Sequence, residues 1–159
     1  MGYLLHPLHL ALVSAQKLSC LLLQFSGLVA STLLGALSQR LLRRLCPACR
    51  REAPASLAES RRLRLGEGER GFFTAGGCAE CGGDGYKGRL GVYELFILDE
   101  ELAGLVADEA PAHRIRQRAL EKGMRSLLDD ALDKARAGST TIAEILRVVP
   151  YRIIAADRG

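Results

Sequence analysis

Residues 78–95 read CAECGGDGYKGRLGVYEL. Two cysteines three positions apart run into a glycine-rich segment, which runs into RLGVYELFIL, residues 89–98. The last segment alternates loosely and is rich in Val, Tyr, Phe and Ile, so it reads as a strand. GFFTAGGCAECGGDGYKG, residues 71–88, reads as loop because glycines punctuate it throughout. Three chemistries could start this way: half of a metal site, part of a chaperone-type zinc finger, or a phosphate-cradling loop. The phosphate loop fails on spacing. A Walker A loop needs G-x-x-x-x-G-K-[ST] between a strand and a helix, so that amides surround the phosphates and a hydroxyl reaches magnesium. Here Lys87 is followed by Gly88, and a strand follows instead of a helix. No other segment carries the motif, and the chain as given is not expected to hydrolyse ATP by itself.

The metal reading needs a second pair of ligands, and Cys46-Pro-Ala-Cys49 supplies it. Two residues between cysteines let both thiolates of a knuckle turn toward one ion, and two knuckles make the closed tetrahedral set of structural zinc. The pairs are 28 residues apart, a longer gap than in the tightest zinc ribbons. Gly76, Gly77, Gly82 and Gly83 are placed to let backbone amides curl around the sulfurs, with positive φ at little cost. Cys46, Cys49, Cys78 and Cys81 are therefore the expected metal ligands. The shell needs no His or carboxylate and leaves no position for a reactive water, so the zinc is expected to be structural and no residue is expected to be catalytic. The alternative is two redox motifs or ordinary buried cysteines. A redox C-x-x-C wants a strand before it and a helix after it, whereas Cys78 lies between glycine loops. Cys20 reads as a small buried apolar residue. Four paired cysteines and one lone one fit a reducing compartment better than a secreted disulfide framework.

Upstream, residues 28–45, LVASTLLGALSQRLLRRL, place Leu33, Leu34, Leu37, Leu41, Leu42 and Leu45 at spacings of three and four, which predicts one helix. It should stop at Cys46, because Pro47 disfavours helical backbone in the residue before it. Between the cysteine pairs, a short helix is expected near residues 55–63 and a turn at 66–68. Downstream, Asp99 should cap a helix to about Asp108, Pro111 should open another ending near Gly123, and a third should run from about Ser126 to Ala137 and stop at Gly138. Thr141-Ile-Ala-Glu144 reads as a capping box opening a last helix, Ile142 to Val148. The tail from Pro150 is expected to fray.

The chain has 159 residues, enough for one ordinary domain or two small ones. Hydrophobic residues at 48% and charged residues at 25% exclude a disordered chain. Trp is absent, so the core must come from Leu, Val, Ile and Ala. The net charge of +4 permits weak attraction to anionic partners without demanding it. Arg40, Arg43, Arg44, Arg50 and Arg51 cluster around the first cysteine pair and read as a solvated face. MGYLLHPLHLALVSAQ has an apolar centre but lacks the basic start of a signal peptide. Leu18 to Leu37 carries no charge and is long enough to span a bilayer, but Ser, Thr, Gln and Gly dilute it, and a buried segment of an α/β core is the reading preferred.

Three stretches together resemble one family. ALSQRLLRRLCPAC, GGCAECGGDGYKGRLGVYEL and ALEKGMRSLLDDALDKARAGSTTIAEILRVV are similar to the C-terminal part of the type II secretion and type IV pilus assembly ATPases, the GspE/PilB family. There, an "AQRL…LCPxC" helix leads into a tetracysteine zinc insertion ending "GCxxCxxTGYxGRxGxYE", and a "GMxTLxxDGLxKxxxGxTTxEEVLRV" tail follows. The resemblance covers residues 28–149 in order. It implies zinc at Cys46, Cys49, Cys78 and Cys81, and it matches Gly88-Arg89 and Tyr93-Glu94 to the family's GR…YE strand without a catalytic role. It further implies a homo-hexameric RecA-like motor on the cytoplasmic face of the inner membrane, driving pseudopilin or pilin assembly through inner-membrane platform proteins. ATP and magnesium belong to the full-length family. Its Walker motifs lie upstream of the region matched, so the chain is expected to be a truncated member that needs the missing ATPase part or a ring. The family's His box, "GHLVxSTLHTN", is poorly copied around His9, which is expected to have no catalytic part.

The resulting expectation is an α/β fold. Residues 1–45 would be a remnant of a RecA-like P-loop ATPase core (1–27 poorly matched), residues 46–88 the tetracysteine zinc module, and residues 89–159 a returning strand and small helical C-terminal subdomain. Two other functions compete. A DnaJ-like zinc finger fits CAECGGDGY, but CPACRREA lacks the glycine pattern and nothing resembles a J-domain. A zinc ribbon binding nucleic acid would need a basic face with stacking aromatics, and the knuckles offer only Phe72, Phe73 and Tyr86. No nucleic acid is expected as a partner.

Overall fold

A computed structural model describes residues 25–66 and 68–150. His9, Cys20, the signal-like start and the tail from 151 onward lie outside these residues. The chain mixes helices and strands and divides into two compact units.

The first unit holds the described residues 25–34 together with 98–117. Helix α1 covers residues 25–32. Its end is marked by Thr32 and Ser31, whose hydroxyls donate back to the Leu28 carbonyl at 2.7 and 3.1 Å. Helix α3, Glu100–Ala107, opens where expected: the Asp99 carboxylate accepts the Leu102 N–H at 3.0 Å. Helix α4, Ala112–Glu121, follows Pro111 directly. No helix among the described residues is long and apolar enough to cross a membrane.

The second unit holds residues 35–97 and 118–150, and here one expectation fails. The single helix over residues 28–45 does not form. After α1 ends, Gly35–Leu45 is an extended strand, β1. The physical reason is the spacing itself. Leucines four apart share a face in a helix, but four is also an even number, so Leu37 and Leu41 share a face in a strand. What decides is a distant partner. Strand β4, Tyr86–Ile97, pairs antiparallel with β1 from Gly35↔Ile97 to Leu45↔Tyr86, with a bulge between Arg43 and Leu45. The strand starts three residues earlier than the expected Arg89.

One face of this ribbon carries Leu42 and Val92 into the core, where they meet Leu127, Leu128, Ala131, Leu132, Ile142 and Ile145. Those residues come from helix α5, Leu127–Arg136, and helix α6, Ile142–Val148. Both helices begin as the sequence foretells: Ser126 Oγ accepts the Asp129 N–H and Thr141 Oγ1 accepts the Glu144 N–H, each at 3.1 Å. The capping box at Thr141 is only half made, because the Glu144 carboxylate goes elsewhere. The opposite face of the ribbon places Leu37, Leu41, Leu95 and Ile97 together, each at least half exposed.

The segment between the cysteine pairs contains the short strand β2, Arg51–Glu52, helix α2, Leu57–Leu63, and the short strand β3, Phe73–Thr74, paired with β2. A capping box the sequence reading overlooked starts α2. Glu59 N–H donates to Ser56 Oγ at 3.3 Å and Ser56 N–H to Glu59 Oε2 at 2.9 Å. Leu63 and Phe72 are buried in the same core as α5 and α6, so the insertion shares a core with the helical end.

Candidate metal centre

The register of β1 and β4 assembles the site. Leu45 lies beside Tyr86, so the first cysteine knuckle leaves the ribbon at the rung where the second enters it. Cys46 N–H donates to the Gly85 carbonyl at 2.9 Å, tying one knuckle to the other. The second knuckle is a 3-10 turn, Ala79–Cys81. Its amides face sulfur: Cys78 N–H and Gly85 N–H both donate to Cys81 Sγ at 3.2 Å.

The four thiol sulfurs of Cys46, Cys49, Cys78 and Cys81 all lie within 4.8 Å of one another. Sγ separations are 3.8 Å for Cys46–Cys78, 3.8 Å for Cys49–Cys81 and 3.7 Å for Cys78–Cys81. An ion bound tetrahedrally by thiolates at about 2.3 Å sets its ligands about 3.8 Å apart. These three separations match those of a tetrahedral cage, and they are far too long for disulfides. All four cysteines are free thiols, with Cys46 fully buried and the others half-buried. Four sulfurs so arranged can hold one metal ion, and soft sulfur ligands in a tetrahedron suit zinc or iron.

The thiols are not electrostatically alike. Burial pushes Cys81 up, but the amides of Cys78, Gly85 and Gly83 outweigh it and lower the thiol to about 6. Burial, reinforced by hydrogen bonds with Cys78, Cys81 and Cys46, pushes Cys49 up to about 12. An ion that binds all four as thiolates must displace the remaining protons.

The glycines serve in two ways. Gly77, Gly82 and Gly83 have φ of 79°, 67° and 92°, as expected. Gly76 does not adopt positive φ. It is needed because a Cβ there would sit 2.3 Å from the Cys49 carbonyl oxygen.

The cage is fastened to the helical end by polar contacts that sequence reasoning did not find. Glu144, whose side chain is fully buried, accepts the Arg43 backbone N–H at 3.0 Å, Arg43 Nε at 3.1 Å and Arg147 Nε at 2.9 Å. Bonding to Arg147 above all, and then to Arg43, outweighs burial and lowers its carboxyl to about 2. The Arg43 guanidinium stacks 4.0 Å over the Tyr86 ring, and the Tyr86 hydroxyl meets Thr141 Oγ1 at 3.0 Å. Arg50 donates to the Gly138 carbonyl at 2.7 Å. The signal available in the sequence was a Glu in a capping position on an otherwise apolar helix face.

Residues 10–147 match the family described as type II/IV secretion system protein. Over 121 residues the chain is 40% identical to the type IV pilus assembly ATPase PilB of Thermus thermophilus, an alignment covering 74% of this chain and 14% of that protein. It is 41% identical over 121 residues to the type II secretion system protein HxcR of Pseudomonas aeruginosa, covering 76% and 22%. It is 39% identical over 127 residues to the type II secretion system ATPase E of Vibrio cholerae, covering 76% and 24%. The chain thus spans a quarter or less of the length of these relatives. The match takes in β1, both knuckles, β4 and the helices through α6, and on it the chain belongs to the type II/IV secretion system protein family.

Proposed function

We propose that this chain is the zinc-binding C-terminal portion of a secretion or pilus-assembly ATPase, contributing to a hexameric motor rather than turning over ATP alone. Cys46, Cys49, Cys78 and Cys81 hold one structural zinc. A structural zinc of the kind that folds small modules supplies about 10–16 kcal/mol, ample to close the insertion between the pairs. The domain division that goes with this reading makes residues 1–45 the end of a RecA-like core, 46–88 the zinc module and 89–159 the returning strand and helical end. The motor would act in the cytoplasm at the inner membrane, on platform proteins that pass its work to pilin or pseudopilin subunits.

The single observation that carries the reading is the tetrahedral sulfur cage seated within a segment matching these ATPases. The ribbon adds support. Among the described strands β1 pairs with β4 alone, and Leu37, Leu41, Leu95 and Ile97 form an uncovered apolar face. An exposed edge and apolar face of this kind ask for a continuing sheet and its covering layer, which the nucleotide-binding part of the parent would supply.

A chimera tests this. Residues 28–149 replace the corresponding segment of the Pseudomonas HxcR protein, and assembly and ATP hydrolysis are measured. A chimera that forms rings and hydrolyses ATP, and loses both on Cys46→Ser/Cys78→Ser, is the expected result. A zinc-loaded, folded chimera that neither assembles nor hydrolyses ATP would overturn the reading.

A further inference from the structure

The lysine of the glycine-rich run builds no Walker loop, yet it has a definite position. Lys87 and Arg44 reach a cleft of about 450 Å³ beside the first knuckle, whose wall includes Pro47, Arg50, Gly138 and Ser139. Three cations line this cleft and no carboxylate does. Three other arginines of the cluster are engaged: Arg40 bonds the Gln39 carbonyl, Arg43 binds Glu144, and one nitrogen of Arg50 binds the Gly138 carbonyl. The guanidinium of Arg44 and the ammonium of Lys87 make no hydrogen bond or ion pair among the described residues.

This arrangement follows from the fold. The bulge between Arg43 and Leu45 falls where β1 meets the first residues of β4, so Arg44 and Lys87 come from neighbouring strands. Like charges on adjacent strands repel, and no carboxylate among the described residues that line the cleft offsets the repulsion. An oxyanion placed between them reverses its sign. Arg50 is held at the cleft wall by the Gly138 carbonyl and by the Phe73 ring, 5.1 Å away. Its remaining guanidinium N–H groups are thereby pre-oriented at low entropic cost, the fork geometry that suits phosphate.

We infer that the cleft framed by Arg44, Arg50 and Lys87 binds a soluble, multiply charged phosphate-bearing anion. Arg44 and Lys87 supply the charge and Arg50 the fixed donor. The site is separate from the sulfur cage, and its test does not depend on assembly or ATP hydrolysis.

The probe is inorganic pyrophosphate, titrated calorimetrically into the zinc-loaded chain at low ionic strength. Arg44→Gln/Lys87→Gln is the test variant. Arg61→Gln/Arg62→Gln on α2 removes the same charge elsewhere, and zinc content with circular dichroism verifies folding of each. Saturable binding weakened by at least about tenfold in the first variant, the effect of losing one charge-assisted hydrogen bond, and unchanged in the second is expected. Absence of binding, or equal weakening in both variants, would overturn the site in favour of general attraction to a basic chain. Binding seen only on vesicles containing phosphatidic acid, with none to pyrophosphate, would overturn it in favour of a lipid surface. If the test variant misfolds, Lys87→Ala, whose side chain leaves no partner behind, must weaken pyrophosphate binding or the inference fails.

Discussion

Arg43 gives Glu144 both its backbone N–H, at 3.0 Å, and its guanidinium Nε, at 3.1 Å. The two residues are 101 positions apart, and the contact fixes the end of β1 against the first turn of α6 three residues before Cys46, the first cysteine of the cluster. It also explains why the capping box at Thr141 is incomplete: the carboxylate expected to reach back to its own helix start closes the edge of β1 instead.

Glu144→Gln should destabilise the chain by about 2–3 kcal/mol, since hydrogen bonds to a charged group are lost while both arginines remain half-exposed and can rehydrate. The pH dependence carries the sharper signature. The Glu144 carboxyl is lowered from the usual 4.5 to about 2 in the folded chain. The folded state therefore binds this proton less readily than the unfolded one, so the stabilisation is complete above about pH 4.5 and is lost as pH falls toward 2. Thermal melts between pH 6 and 3 should fall less steeply for the Gln variant. Parallel curves would show that Glu144 does not titrate as described.

Ser60 is buried in α2 and its hydroxyl has no hydrogen-bond partner among the described residues. Ser60→Ala removes an unsatisfied polar group and improves helix propensity, and should raise stability by about 1 kcal/mol. Urea titration checks this, and a lowered midpoint would mean that the hydroxyl is satisfied in solution.

Gly76→Ala should harm the metal centre through contact alone. The added Cβ would meet the Cys49 carbonyl oxygen, a backbone atom, at 2.3 Å, and overpacking of this kind costs about 1–3 kcal/mol. Zinc affinity by competition with a chromophoric chelator should fall measurably. Gly82→Ala meets nothing within 4 Å but sits at φ +67 and should cost about 1–2 kcal/mol of backbone strain. Equal affinity for Gly76→Ala and the wild type would show that the first knuckle lies farther from the glycine loop.

The sequence made the four-cysteine cluster legible because its signal is local: residue type and spacing within each C-x-x-C say how two thiols can face one point. The same holds for Asp99, Ser126 and Thr141, whose caps need only the next three residues. Residues 35–45 were not legible, since leucines four apart satisfy both periods and the ladder comes from β4, more than forty residues on. Glu144 was misassigned for the same reason: its partner Arg43 is local only in space. Ser56-x-x-Glu59 is a capping box legible at sequence level, since both bonds lie within four residues.

The most direct measurement is metal content of the purified chain by plasma mass spectrometry, beside Cys46→Ser/Cys78→Ser. One zinc per chain is expected, lost in the double variant together with the cooperative melt of the unit that contains β1, β4, α5 and α6. A folded, cooperatively melting chain without metal, unchanged by the double substitution, would contradict a structural zinc at the four cysteines.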